Sequence, residues 1–107
     1  MRDKISDLHH YVEEHVQESL QELARLCRQP SISAQGLGMH ACAGTLAELV
    51  RSHGIATQVV ETAGYPVVLG EYGAGDRTLL LYNHYDVQPP DPLALGDRNI
   101  YRLFHPL

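Results

Sequence analysis

Apolar side chains near the start of the chain recur with the period of one helix face. Within residues 3–28 the steps between them are 3, 4, 4, 4, 3 and 4, which predicts an amphipathic helix with this apolar set: Ile5, Leu8, Val12, Val16, Leu20, Leu23 and Cys27. Acidic residues such as Glu13 and Glu14 lie off this stripe and are expected to face water. Pro30 excludes the residue before it from the helical region, so the helix should end there.

The segment that follows is predicted to be a loop, because residues 29–38 (QPSISAQGLG) contain one proline, two serines and two glycines. A second helix is predicted over about residues 39–53, with an apolar face made of Ala43, Leu46, Leu49 and Val50. Gly54 then stands where a left-handed C-terminal cap is favoured. The first half of the chain is therefore expected to be helix, loop and helix.

The next part of the chain is predicted to form strands. Residues 55–61 are rich in β-branched side chains, and residues 66–72 and 77–83 read as two further strands. Only residues 73–76 join the last two, so we predict an antiparallel hairpin between them. The third strand is apolar on both faces, which is typical of an interior strand. Helices followed by these strands predict an α/β fold with a layered sheet.

Length, charge and cysteine content narrow the class of protein. A chain of 107 residues suggests one domain with a modest core. Its 13 acidic and 8 basic residues argue against a nucleic-acid or anionic-membrane surface. No apolar run approaches the roughly 20 residues that span a bilayer, and no secretory signal is expected. Cys27 and Cys42 form no CxxC pair, which favours small, reduced, buried side chains in a cytoplasmic protein.

A histidine and an aspartate follow the third predicted strand, where α/β sheets usually place ligand sites. In an extended chain, His84 and Asp86 point the same way, about 6.6 Å apart at roughly 3.3 Å per residue. The carboxylate could accept a hydrogen bond from one ring nitrogen of His84, which would direct the other nitrogen at a metal. By spacing alone, a histidine at a strand end is more often an ordinary surface or hydrogen-bonded histidine than a metal ligand.

The other histidines form no HExxH or similar ligand spacing: His9, His10, His15, His40, His53 and His105. His10 and Glu14 are four residues apart on the first helix, which predicts a solvated surface contact. His53 is interpreted as a helix C-terminal residue beside the negative end of the dipole. Asp91 and Asp97 are interpreted as loop acids, outside any metal site.

Residues 79–92, LLLYNHYDVQPPDP, resemble the signature of a family of di-zinc peptidases and deacylases. This family includes carnosinase-like dipeptidases, glutamate carboxypeptidases, aminoacylase, acetylornithine deacetylase and succinyl-diaminopimelate desuccinylase. The form NHYDVQPPDPL looks most like the dipeptidase branch. The QPSIS loop after a long first helix and the LVRSHG end of the second helix also match, so the resemblance spans about residues 5–95.

The resemblance implies a fold, a reaction and roles for two residues. Residues 1–95 would be the N-terminal part of a catalytic domain, a partial α/β/α sandwich with two N-terminal helices followed by strands that include a β-hairpin. His84 would bind one of two zinc ions, and Asp86 would serve catalysis as the carboxylate that orients His84. The family hydrolyses amides of peptide or N-acyl amino acid substrates, with two metals and a glutamate that transfers the proton.

The sequence also departs from the family. The tail, residues 96–107, does not resemble it, and the tryptophan usual in this branch is lacking, which predicts a truncated or frameshifted reading frame. The remaining ligands and the general base lie later in full-length members. Whether this chain is an enzyme is therefore open, and it should hold at most one zinc ligand and be inactive alone.

Two alternatives remain open beside the peptidase fragment. The first is a non-catalytic remnant or small α/β interaction module, whose uncovered sheet edges and apolar faces would favour homodimer formation or self-association. The second is an unrelated small α/β binding domain in which the HYD motif is a coincidence.

Overall fold

The computed structural model of the protein describes residues 3–89. Its elements follow the order α1 (Lys4–Arg28), a short 3-10 turn (Ser33–Gln35), α2 (Met39–Ser52), β1 (Ala56–Val60) and β2 (Val67–Glu71). Two helices followed by an antiparallel hairpin confirm the predicted α/β class and are consistent with part of a larger α/β domain. The predicted tail over residues 96–107, with Asp91, Asp97 and His105, lies outside the described residues.

Local signals in the sequence set both ends of α1. Asp3 caps the N-terminus, where its side chain accepts a hydrogen bond of 3.2 Å from the backbone N–H of Ile5. Gln29 at the C-terminus is extended, with φ −76° and ψ 117°, because Pro30 disfavours the helical region for it. The predicted helix is therefore confirmed. In residues 3–89, neither helix combines the length and the apolar composition that a membrane crossing needs.

Although α1 has the predicted apolar stripe, no residue of this helix is buried within the described part of the chain. Val16 is 41% exposed and Leu8 is 64% exposed. Two exposed polar contacts connect the C-terminal half of α1 to α2. They are the ion pair of Arg25 with Glu48 at 2.6 Å and the hydrogen bond of Glu22 with His53 at 2.8 Å. Exposed pairs contribute at most about 1 kcal/mol each, so α1 is only weakly docked on α2.

The core lies between α2, the loop before it and the hairpin. The buried apolar side chains of the described region include Ile32, Met39, Cys42, Ala43 and Ala47. Gly70 allows β2 to approach α2 closely, because a Cβ at this position would lie 3.1 Å from Ile55 Cγ2 and 3.3 Å from Val50 Cγ1. The lack of a side chain at Gly70 thus lets β2 lie against Val50 of α2 and Ile55.

The pairing of the strands differs from the prediction. β1 pairs with β2, with Ala56 opposite Glu71 and Val60 opposite Val67, so the predicted hairpin between residues 66–72 and 77–83 is wrong. Residues 77–83 form no strand in this structure, and the side chains of Leu79 to Tyr82 are 78–87% exposed. A strand that is apolar on both faces needs cover on both sides and a neighbouring strand. In residues 3–89 these side chains have no such cover, and the segment continues after Gly73, where φ is +80°, without joining the sheet.

Candidate metal-binding site at His84 and Asp86

The structure brings the side chains of His84 and Asp86 together, as the extended spacing predicts. His84 Nδ1 lies 3.0 Å from Asp86 Oδ1 and 3.0 Å from the backbone oxygen of the same residue. Because both acceptors are oxygens, Nδ1 carries the proton and donates it. In the neutral ring, Nε2 then keeps its lone pair for a metal. The side chain of His84 is 76% exposed, so a metal could reach Nε2 from solvent.

Asp86 uses its second carboxylate oxygen for a different partner. The hydroxyl of Ser33 donates to Asp86 Oδ2 over 2.5 Å. This hydrogen bond, followed by the one from His84, holds the pKa of Asp86 below its usual value. Asp86 is therefore a carboxylate at neutral pH and acts only as an acceptor, with one oxygen for each of its two donors.

The loop before α2 holds the chain on both sides of this aspartate. The hydroxyl of Ser31 donates to the backbone oxygen of Tyr85 over 2.7 Å, and the backbone N–H of Val87 donates to the oxygen of Ser31 over 2.8 Å. The loop is itself closed by two backbone hydrogen bonds between Ile32 and Leu37, of 2.9 and 3.1 Å. The candidate site is thus anchored even though the apolar segment before it is exposed.

Two tyrosines connect the β1–β2 turn to the same site. Tyr65 donates its hydroxyl proton to the backbone oxygen of Ser33 over 2.8 Å, and Tyr85 donates to that of Pro66 over 2.6 Å. Burial is the main cause that raises the pKa of the Tyr85 hydroxyl, so it remains a donor at neutral pH. The hairpin, the loop and the segment with His84 are therefore linked through side-chain donors and backbone acceptors.

Sequence analysis did not assign any role to these anchoring residues: Ser31, Ser33, Tyr65 and Tyr85. The bonds from Ser31 and Ser33 join positions 54 and 53 residues apart, a separation at which hydrophobic periodicity carries no information. One signal could have indicated these residues: the QPSIS loop and the NHYDV segment both belong to the same family resemblance. Two segments of one signature can belong to one site.

Cys42 lies beneath the site, with its thiol 4.0 Å from the backbone oxygen of Tyr85. Its side chain is 1% exposed, and burial raises the pKa of its thiol above the ordinary 9.0. Cys27 is half-buried, and both cysteines are free. The predicted burial is thus confirmed for Cys42, whereas Cys27 is only partly covered.

This difference predicts unequal reactivity of the two thiols. Iodoacetamide at pH 8 should alkylate Cys27 roughly tenfold or more faster than Cys42, because only an accessible thiolate reacts and Cys42 is both covered and harder to ionise. Peptide mass mapping over time measures the two rates. The difference should vanish in concentrated urea, and equal rates in buffer would show that Cys42 is not covered.

The remaining histidines within residues 3–89 do not join this site. His10 contacts Glu14 at 3.2 Å, which confirms the predicted surface contact, and His40 contacts Glu61 at 3.4 Å. Over the same range, no three His, Cys, Asp or Glu side chains are close enough to hold a metal together. Catalytic zinc sites use at least three protein ligands, so the described residues can supply only part of such a site.

A comparison with solved structures found similarity to Sso-CP2, an M20 family metallo-carboxypeptidase from Sulfolobus solfataricus. The identity is 41%, the match covers 73% of this chain, and the TM-score is 0.68. The chain spans 18% of the length of that protein. No protein-family model matches the chain, and no curated protein matches it. The similarity to Sso-CP2 supports the interpretation of this chain as part of a metallopeptidase of the M20 family.

Proposed function

We propose that this chain forms part of the catalytic domain of an M20 family peptidase, in which His84 binds one zinc ion through Nε2. The observation that carries the proposal is the 3.0 Å contact between His84 Nδ1 and Asp86 Oδ1. In the neutral ring this contact leaves the lone pair of Nε2 for a metal, on a side chain that is 76% exposed. Asp86 serves catalysis by orienting this ring. The 41% identity to a metallo-carboxypeptidase supports the same assignment.

His84 would hold a zinc ion and Asp86 would orient the His84 ring, while a glutamate elsewhere in the complete site would transfer the proton. Two zinc ions, when bound, supply Lewis acidity toward the amide carbonyl and lower the pKa of the attacking water. Asp86 remains ionised, so its Oδ1 accepts the Nδ1 proton of His84 and thereby fixes the tautomer. The NHYDVQPPDPL form favours a dipeptidase, with peptide or N-acyl amino acid substrates. The free thiols fit a cytoplasmic location.

A single histidine predicts weak binding by the chain on its own. Zinc added to the 107-residue chain should give no stoichiometric binding at micromolar concentration, and the chain should hydrolyse no dipeptide. Calorimetry with zinc, on this chain and on its His84→Ala variant, measures the difference. Tight binding that disappears in the variant would mean that the chain already contains a complete site.

A chimera tests the proposed function directly. Residues 3–89 would replace the matching segment of Sso-CP2, so that the other ligands come from that protein. We expect the chimera to bind zinc and to hydrolyse peptides in a zinc-dependent manner, with Sso-CP2 as the control. A chimera that folds and binds no zinc would contradict the role assigned to His84.

An interaction module is the second candidate, because the described part of the chain leaves two apolar surfaces uncovered. One is the stripe of α1, and the other is the extended segment Leu79 to Tyr82. Exposed apolar surface of this kind favours association. Sedimentation equilibrium should then show a mass that rises with concentration, and replacing Leu79 and Leu81 by serine should lower it. A monomer at every concentration would exclude self-association.

A further inference from the structure

Resting on the proposed function, we infer that Ser33 is a positioning residue for the pair formed by His84 and Asp86. Its hydroxyl donates to Asp86 Oδ2 over 2.5 Å, which leaves Oδ1 for His84 Nδ1. A carboxylate held at one oxygen cannot rotate about its Cβ–Cγ bond without breaking a short, charge-assisted hydrogen bond. Ser33 therefore determines which way the carboxylate faces, and through it the orientation of the imidazole.

Ser33 is itself well held, which a positioning residue requires. It begins the 3-10 turn, and its backbone oxygen accepts hydrogen bonds from the N–H of Gly36 at 3.1 Å and from the hydroxyl of Tyr65 at 2.8 Å. The preceding residue, Ile32, is buried. The backbone of Ser33 is thus held in place by contacts that are independent of Asp86, and it carries the hydroxyl within reach of the carboxylate.

Ser31 provides a matched comparison in the same loop. Its hydroxyl also reaches the segment with His84, but it donates to the backbone oxygen of Tyr85 and not to the carboxylate of Asp86. Loss of the Ser31 hydroxyl should therefore loosen the segment without releasing the carboxylate. Ser31 thus anchors the backbone at Tyr85, whereas Ser33 orients the side chain of Asp86.

The test is the tautomer of His84, read by long-range ¹H–¹⁵N NMR on the 107-residue chain without metal. The spectra are recorded at alkaline pH, well above the ordinary histidine pKa of about 6.5. The two tautomers of a neutral imidazole give different nitrogen shifts. The wild type should show an excess of the Nδ1–H form at His84 over the exposed His9. Ser33→Ala should lose much of this excess, Ser33→Thr should restore it, and Ser31→Ala should keep it.

An unchanged His84 tautomer in a folded Ser33→Ala variant would overturn the inference, and so would an equal loss in Ser31→Ala. If Ser33→Ala does not give a dispersed spectrum, Ser33→Cys decides, because its thiol fills similar space with a weaker donor. A reduced Nδ1–H excess in that variant supports the role, and an unchanged excess refutes it. A wild-type chain with no excess at His84 would instead refute the orienting pair, and with it the proposed function.

Discussion

Gly38→Ala should destabilise the fold by about 3 kcal/mol, since it adds left-handed backbone strain to a steric overlap. Gly38 is the N-cap of α2, with φ +71°. A Cβ here would overlap the carbonyl oxygen of Pro30 and lie 2.8 Å from its carbonyl carbon. Both atoms belong to the backbone, so only a shift of the loop that carries Ser31 and Ser33 could relieve the contact. Urea denaturation followed by circular dichroism measures the free energy of unfolding.

Variants at two other glycines distinguish the cost of left-handed backbone strain from the cost of steric overlap. Gly54→Ala carries the same left-handed strain, with φ +77°, but has no atom within 4 Å of its Cβ, so it should cost only about 1 kcal/mol. Gly44→Ala lies inside α2 in open space and should stabilise the chain by about 0.5–1 kcal/mol. A Gly38→Ala variant no less stable than Gly54→Ala would show that the loop is not packed against Gly38.

The helices could be predicted because their signals are local. The 3.6-residue period of α1 and the proline after it lie within one segment, and Gly54 caps the end of α2 in the left-handed conformation that was expected. Such signals do not require knowledge of any distant partner. They also do not say what covers the helix, and in residues 3–89 the apolar stripe of α1 remains exposed.

The prediction of strand pairing was wrong because pairing depends on distant parts of the chain. The four residues between residues 66–72 and 77–83 suggested a hairpin, but pairing depends on which strand offers a free edge and on cover for both faces. β2 pairs with β1 across a turn in which Thr62 donates to the oxygen of Tyr65 and accepts from the N–H of Gly64. The apolar pattern of residues 77–83 is typical of a strand covered on both faces, but in residues 3–89 nothing covers these side chains.

The candidate site was predictable in part. The spacing of His84 and Asp86 predicted their contact, because side chains two residues apart in an extended chain share one side. The donors from Ser31, Ser33, Tyr65 and Tyr85 could not be predicted from spacing, since each depends on the tertiary fold. These contacts account for why the pair is held in place next to an exposed, unpaired segment.

His84→Ala in the chimera that carries residues 3–89 should abolish peptide hydrolysis, with the loss of one zinc ion per molecule. Within residues 3–89 the hydrogen bonds of the ring are both to Asp86, and the side chain is 76% exposed, so its removal should leave the fold intact. Asp86→Ala should have a smaller effect, about 10- to 100-fold in metal affinity or activity, as expected for a group that only orients a ligand. Hydrolysis rates and zinc content by atomic absorption measure both variants.

His84→Ala should lose more activity than Asp86→Ala, and His53→Ala is the matched control. His53 is also exposed and also contacts a carboxylate, that of Glu22 at 2.8 Å, but lies at the end of α2 away from the anchored segment. Its variant should retain full activity and zinc content. If Asp86→Ala costs more than His84→Ala, Asp86 does more than orient the ring; if His84→Ala retains both zinc ions, the ligand role is wrong. A loss of activity and zinc in the His84 and Asp86 variants but not in His53→Ala would show that the contact between His84 and Asp86 is needed for metal binding.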